Sequence, residues 1–271
     1  MSAVIDVLIP TFCRPAALAV TLTSLGLQRY RNFRVIISDQ SDRPDVPASL
    51  EAGEVQAALR VLRSHGQEVI TQTHLPRRGI GEQRQFLLDQ ATAPYVLFLD
   101  DDLILEPWVM DSLLSTMQVE NCGFVGSAMI GLSFLQDIRP HQQAIEFWEG
   151  AVEPETVQSG TPQWERYQLH NAANLYHVQQ NLNLTPATRR TYRVAWIAGC
   201  VLYDTAKLRS VGGFEFWREL PPNHCGEDVL AQLRVMAQYG GCGIIPSGAY
   251  HQELPTTIVD REIDAPQVLS V

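Results

Sequence analysis

The 271-residue chain has no apolar run approaching the ~20 residues that a membrane-spanning helix requires. It has no CxxC pair either. Its five cysteines, Cys13, Cys122, Cys200, Cys225 and Cys242, are odd in number and scattered, which argues against both a disulfide framework and a structural zinc site. Positive charge is scarce, with 20 Lys+Arg against 30 Asp+Glu, and the net charge of -10 would repel a phosphate backbone and find little attraction at an anionic membrane surface. Nucleic acid is therefore not an expected partner. The first residues, MSAVIDVLIPTF, have no basic stretch, long apolar segment and small-residue cleavage site in succession, so the expected location is the cytoplasm, with peripheral attachment at the inner membrane face as a variant and no integral membrane segment. Internal repeats and low-complexity tracts are also missing.

What is present is enough apolar material, 45% of residues, to bury one full-sized core. A single domain over 1–271 is expected. In the first hundred residues short apolar runs alternate with helical patterns, the mark of an α/β fold with a mostly parallel central sheet and helices on both faces. Val4 to Pro10 reads as a buried strand, and Pro15 opens a helix in which Leu18, Leu22 and Leu25 recur up to Gly26. Phe33 to Ser38 is a second strand ending at Asp39, Leu50 to Leu62 a weak helix, and Glu68 to Thr73 a third strand. Gly79-Ile80-Gly81 opens a helix from about Glu82 to Gln90 with Phe86 and Leu87 inward. The strongest strand, Tyr95 to Leu99, runs into Asp100-Asp101-Asp102.

Residues 132–191 mix aromatics, amides, Pro and Gly without a steady period and read as a long excursion with short helices. Val194 to Tyr203 is strand-like, a short helix reaches Val211, Glu227 to Tyr239 is helical up to Gly240-Gly241, and Gly243 to Pro246 forms a last strand before His251.

Three adjacent carboxylates at a strand end are unfavourable unless a cation or solvent compensates them. In an extended strand Asp100 and Asp102 point to one side and Asp101 to the other. Two carboxylates converging at the carboxyl end of a parallel strand make a hard-oxygen site for Mg2+ or Mn2+, which in turn holds a diphosphate, and ligands bind at that end of open α/β sheets. The plain alternative is a solvated acidic turn.

Taken together, Pro10-Thr11-Phe12 with Arg14, then Ser38-Asp39-Gln40-Ser41-Asp42, Gly79-Ile80-Gly81-Glu82-Gln83-Arg84 and Phe98-Leu99-Asp100-Asp101-Asp102 resemble the nucleotide-sugar domain of inverting family 2 glycosyltransferases with the GT-A fold. Gly199, Gly212-Gly213-Phe214 and Glu227-Asp228 follow in that family's order. The resemblance covers about residues 4–130 and 194–251, and leaves the excursion unmatched. It divides the chain into a nucleotide-sugar-binding part, 1–130, and an acceptor-binding part, 131–271.

The implied activity is metal-assisted transfer of a sugar from a nucleotide-diphosphate donor to an acceptor hydroxyl, with inversion, the acceptor being a glycan, a lipid-linked or a small molecule. The resemblance places Pro10, Thr11, Phe12, Arg14, Asp39, Gly79, Arg84, Asp100 and Asp101 against the donor. Asp39 pairs with the base, although the family's Asp-Asp-Gly-Ser appears here as Ser38-Asp39-Gln40-Ser41 and a turn-capping aspartate is the alternative. Arg84 suits a diphosphate. Asp102, with Asp100 beside it and His251 as a late nitrogen ligand, holds Mn2+ or Mg2+. The base that takes the acceptor's proton falls at Glu227-Asp228, first Asp228, against the alternative that both merely complement a helix dipole. Trp196 and Trp217 are the tryptophans nearest this base and are candidate acceptor contacts.

Two rival readings remain. A sugar nucleotidyltransferase would carry a glycine-rich basic loop after the first strand, where this chain has Pro10-Thr11-Phe12-Cys13-Arg14-Pro15. A non-catalytic nucleotide-sugar binding protein would not need Glu227-Asp228.

Overall fold

The computed structural model describes residues 4–257 and 262–271. Strand β1 (Ile5–Thr11) is buried along its whole length, and β2 (Phe33–Asp39) and β4 (Tyr95–Leu99) pair with it in parallel on either side. Such continuous apolar runs suit strands covered on both faces. Between them come α1 (Pro15–Gly26), α2 (Gly53–Ser64), β3 (Glu68–Thr73) and α3 (Ile80–Gln90). A short β5 (Leu103–Leu105) and α4 (Val109–Glu120) follow the aspartates, and β6 (Phe124–Gly126) precedes the excursion.

Within the excursion only α5 (Asn174–Asn181) is a regular helix, the rest being short 3-10 turns joined by irregular chain, and the excursion ends at β7 (Arg190–Tyr192). Then come β8 (Cys200–Asp204), α6 (Thr205–Ser210), α7 (Glu227–Tyr239), β9 (Gly241–Ile245), β10 (Ala249–His251) and α8 (Ala265–Val268). The main sheet has the order β3-β2-β1-β4-β8-β6-β9-β7, so both parts of the chain contribute to one sheet. β8 is antiparallel to β4 and β6, and β7 to β9, while the other neighbours are parallel.

Strand alternation divides the core in two. Val7, Ile9, Val35 and Ile37 face Leu18, Leu22, Leu59 and Leu113 on one side; Leu8, Ile36 and Phe98 face Leu87, Leu208 and Leu230 on the other. Each such leucine taken out of water contributes about 1.5–3 kcal/mol, and this burial holds the strand ends in register.

Three expectations change in detail. The weak helix starts at Gly53, because Ser49–Glu51 forms a separate 3-10 turn and Ala52 is extended. The strand expected over Val194 to Tyr203 begins only at Cys200; before it, the backbone of Ile197 is bonded to the Gln232 side chain and not to a neighbouring strand. Phe86 is half-exposed and stacks on His74 at 3.7 Å, whereas Leu87 is buried. Among the described residues no helix is long and apolar enough to cross a membrane. None of the five cysteines forms a disulfide.

Candidate active site

The carboxyl ends of β1 and β4, the start of α7 and the chain after β10 enclose a cavity of about 760 Å3, within the range of small-molecule sites. β4 stops at Leu99, and Asp100-Asp101-Asp102 form the turn into β5, so strict alternation no longer applies. Each aspartate has a different nearest partner, although Arg14 Nη1 also reaches Asp101 Oδ1 at 3.5 Å. Asp101 accepts from Thr11 Oγ1 at 2.6 Å, which ties the turn to β1. Asp102 accepts from Arg14 Nη1 at 2.6 Å, and its Oδ2 lies 3.3 Å from His251 Nε2. Asp100 accepts from Arg84 Nη2 at 3.1 Å. The expected convergence of Asp100 and Asp102 is therefore replaced by divergence toward separate cations, although all three line the cavity.

These partners set the charge states. Burial raises the Asp102 pKa, but the hydrogen bond and charge of His251 and those of Arg14 outweigh it and hold the carboxyl below its usual range. His251 is raised in return, mainly by its bond to Asp102. Asp101 rises to about 7, chiefly through burial, against the opposing bond from Thr11. Asp100 is raised as well, burial exceeding the help from Arg84.

Arg14 reaches this cluster because Cys13 adopts a left-handed backbone (φ 53°), fixed by Cys13 N donating to Ser41 Oγ at 2.9 Å, and Pro15 then starts α1. Its Nη2 donates to the Pro255 carbonyl, drawing the segment after β10 over the site.

On the opposite wall, α7 starts at Gly226, whose left-handed φ of 73° suits glycine and where a Cβ would collide with Asp264. Glu227 is buried and accepts from Arg84 Nε at 2.8 Å. Arg84 thus spans from β4 to α7. Burial works against its charge, yet Asp100 and Glu227 more than restore it, so its pKa is raised. Asp228 lines the cavity and is half-buried, and its Oδ1 takes the N–H of Val229 at 2.9 Å. Burial, then the neighbouring Glu227 charge, push the Asp228 pKa up to about 7.

Pro10, Thr11, Phe12, Arg14 and Arg84 line the cavity, as do Asp228, Glu227 and His251. Two expected donor residues stand behind the wall. Asp39 is fully buried and spends its oxygens on Ser41 N (2.9 Å), the Ser41 hydroxyl and Leu50 N (3.0 Å), the turn-capping alternative. Gly79, at φ 108°, lies where a Cβ would approach the Pro222 carbonyl to 2.7 Å, so it admits the loop leading into α7. In that loop His224 accepts from Gly81 N at 3.2 Å, at the start of α3. Trp196 lines the cavity; Trp217 does not.

Sequence reading missed several lining residues. Gln83 donates to the Ser38 carbonyl at 2.7 Å, and Gln40 donates to Glu82 at 3.3 Å; four consecutive polar residues, Glu82 to Gln85, are buried on α3, which nothing in their spacing announces. Arg77 lies over the Phe12 ring at 4.0 Å, and the pair Arg77-Arg78 in a chain short of basic residues was the available signal. Asp264 and Gln267 arrive from the end of the chain, which carries no period. Among the described residues no three His, Cys, Asp or Glu side chains are grouped to hold a metal ion by themselves.

The family model "Glycosyl transferase family 2" matches residues 6–178, more than half of the chain, and runs across the 130/131 division. The chain belongs to glycosyl transferase family 2. Its fold is shared by a mannosyltransferase from Pyrobaculum calidifontis, solved with GDP-Man and Mn2+, at TM-score 0.56 and 14% identity over 95% of this chain and 59% of that one. TarS 1-349 from S. aureus matches at TM-score 0.53 and 16% identity, covering 93% of this chain and 60% of that one. TarS 1-349 solved in complex with UDP-GlcNAc matches at TM-score 0.52 and 14% identity, covering 100% and 62%. This family 2 chain thus spans about 60% of the length of these structures. None of the curated proteins matches it.

Proposed function

We propose that this chain transfers a sugar, with inversion, from a nucleotide-diphosphate donor to an acceptor hydroxyl, with Asp228 as base and Mn2+ or Mg2+ bound at Asp102. The observation that carries the reading is the Arg84 bridge, which joins Asp100 at 3.1 Å to Glu227 at 2.8 Å and brings the aspartate turn and the Asp228 helix to one cavity.

In this reading Pro10, Thr11, Phe12 and the aspartate turn receive the donor, with Arg77 on the Phe12 ring adding charge beside it. Asp39 supports that wall from behind by fixing the loop that follows β2. The acceptor hydroxyl attacks the anomeric carbon from the face opposite the diphosphate and passes its proton to Asp228. A carboxylate with a pKa near 7 is well matched to that task at neutral pH. Glu227 is already engaged by Arg84 and acts by positioning α7 and by raising its neighbour's pKa.

The chemistry of Asp102 suits a hard divalent ion. Asp102 is held ionised, the His251 imidazole lies 3.3 Å from it, and Asp100 is on the same turn. Such ions take one or two carboxylates and complete their shell with substrate phosphates and water. When bound, the ion supplies positive charge that offsets the departing diphosphate. The mannosyltransferase solved with GDP-Man and Mn2+ supports this choice of ion and donor class.

The test is a thermal-shift and calorimetric screen of UDP- and GDP-sugars with and without Mn2+, since a ligand that binds only the native state raises its stability. Asp102→Asn is expected to remove the Mn2+-dependent part of donor binding. Donor binding still stimulated by Mn2+ in that variant would rule out the metal assignment. The anomeric configuration of the product, read by NMR, decides inversion.

A further inference from the structure

From the ring packing at Trp196 we infer a subsite for an uncharged or amino-bearing sugar ring of the acceptor, made by the exposed part of the Trp196 indole in the cavity that Asp228 also lines. The inference rests on the glycosyltransferase reading above and names its acceptor class.

Trp196 is half-buried, and its exposed surface opens into the cavity. It is packed against Tyr167, stacked at 5.3 Å and 13°, and Trp164, at 4.6 Å and 54°, both contributed by the excursion. A large flat side chain held so firmly loses little entropy when a ligand covers it.

Its position relative to the base is also set. Gln232 accepts from Ile197 N at 2.8 Å and donates to Ile197 O at 2.7 Å, clamping the backbone next to Trp196 to α7. Gln232 stands four residues after Asp228, on the same helix face. The ring platform and the base are therefore parts of one rigid unit, as a transferase needs if it is to hold an acceptor hydroxyl at its base.

Charge selects the class of ring. Asp264 approaches Gly226 at the start of α7, and Asp228 lies two residues on, so this wall is acidic. Among the described lining residues the arginines are Arg14, Arg77 and Arg84. Arg14 and Arg84 are bound to carboxylates, and Arg77 lies on Phe12. A phosphorylated or carboxylated ring at Trp196 would meet the like charge of Asp228 and Asp264, with Arg77 held on the Phe12 ring on the donor side of the cavity, whereas hydroxyls or an ammonium group would be accepted.

The experiment is a glycan array probed with the full chain in the presence of Mn2+ and UDP or GDP, comparing wild type with Trp196→Ala and Trp196→Phe. Neutral or amino-sugar glycans are expected to bind, to weaken about tenfold in Trp196→Ala, the equivalent of 1.4 kcal/mol, and to be largely retained in Trp196→Phe. Binding confined to sulfated, phosphorylated or uronate glycans overturns the inference, as does absence of glycan binding or an array pattern that Trp196→Ala leaves unchanged. If Trp196→Ala does not fold, the wild-type pattern and Trp196→Phe still decide. Calorimetry with the nucleotide-diphosphate sugars separates the two claims, because donor binding without glycan binding removes only this subsite, and loss of both removes the glycosyltransferase reading.

Discussion

The site has two acidic clusters, one at the end of β4 and one at the start of α7, which share Arg84, and one member of each, Asp102 and Asp228, ends in the opposite state to the other. At β4, Asp102 is flanked by Arg14 and His251 and is held below the usual carboxylate range. At α7, Glu227 takes the arginine, and Asp228, left with burial and a negative neighbour, rises to about 7. In the proposed mechanism Asp102, flanked by two cations, is the acid kept as an anion for a metal, and Asp228, whose neighbour takes the arginine, is the one poised to accept a proton.

The contrast can be broken most severely at the base. Asp228→Asn is expected to lower turnover by about 10²–10⁴-fold while leaving donor affinity within twofold, measured by steady-state kinetics alongside calorimetry. Normal turnover would move the base elsewhere.

Removing the shared cation comes next. Arg84→Met leaves the buried Glu227 and the half-buried Asp100 without their partner and should cost about 3–5 kcal/mol of stability, read by denaturant unfolding. A loss below about 1 kcal/mol would show that solvent already compensates these acids.

The pH profile sharpens the comparison without removing a side chain. A base must be ionised to accept a proton, so turnover should level off well above pH 7, be half-maximal near it and fall about tenfold per unit well below it, following the Asp228 pKa of about 7. In Glu227→Gln the negative neighbour is gone and Arg84 is freed, so this acid limb should shift to lower pH. An unshifted limb would assign it to another group.

The smallest effect lies in the loop that positions α7. Gly79→Ala combines a left-handed backbone with an approach to Pro222 O, and should cost about 1–3 kcal/mol. Gly53→Ala, at the open start of α2, meets nothing within 4 Å and should be neutral or slightly stabilising. Equal melting temperatures for the two variants would contradict the packing described for the 221–224 loop.

The donor side of the molecule was legible because its elements are periodic. The β1, α1, β2, β3, α3, β4 and α7 segments fall within a few residues of where alternation, Pro15 and Gly240 place them. The run of three aspartates was legible because clustered charge at the end of YVLFL is so unfavourable without partners. The excursion was not, since its residues are held by ring stacks and pairs such as Arg166 with Glu146 and Glu155, which no local pattern encodes. Asp39 and Gly79 share a sequence context with ligand-binding residues, and only their packed neighbours reveal that they stand behind the wall.

Sequence by itself determined which residues are apolar at strand and helix spacing, where acids are adjacent, and hence the α/β layering and the two candidate clusters, because these depend on separations of a few residues. The tertiary structure alone decided which acid in each cluster receives a cation. Arg14, Arg84 and His251 lie 88, 143 and 149 residues away from the carboxylates they touch at Asp102, Glu227 and Asp102. Charge states in a buried site follow from distance in space, and that distance exists only once the sheet has brought its strand ends together.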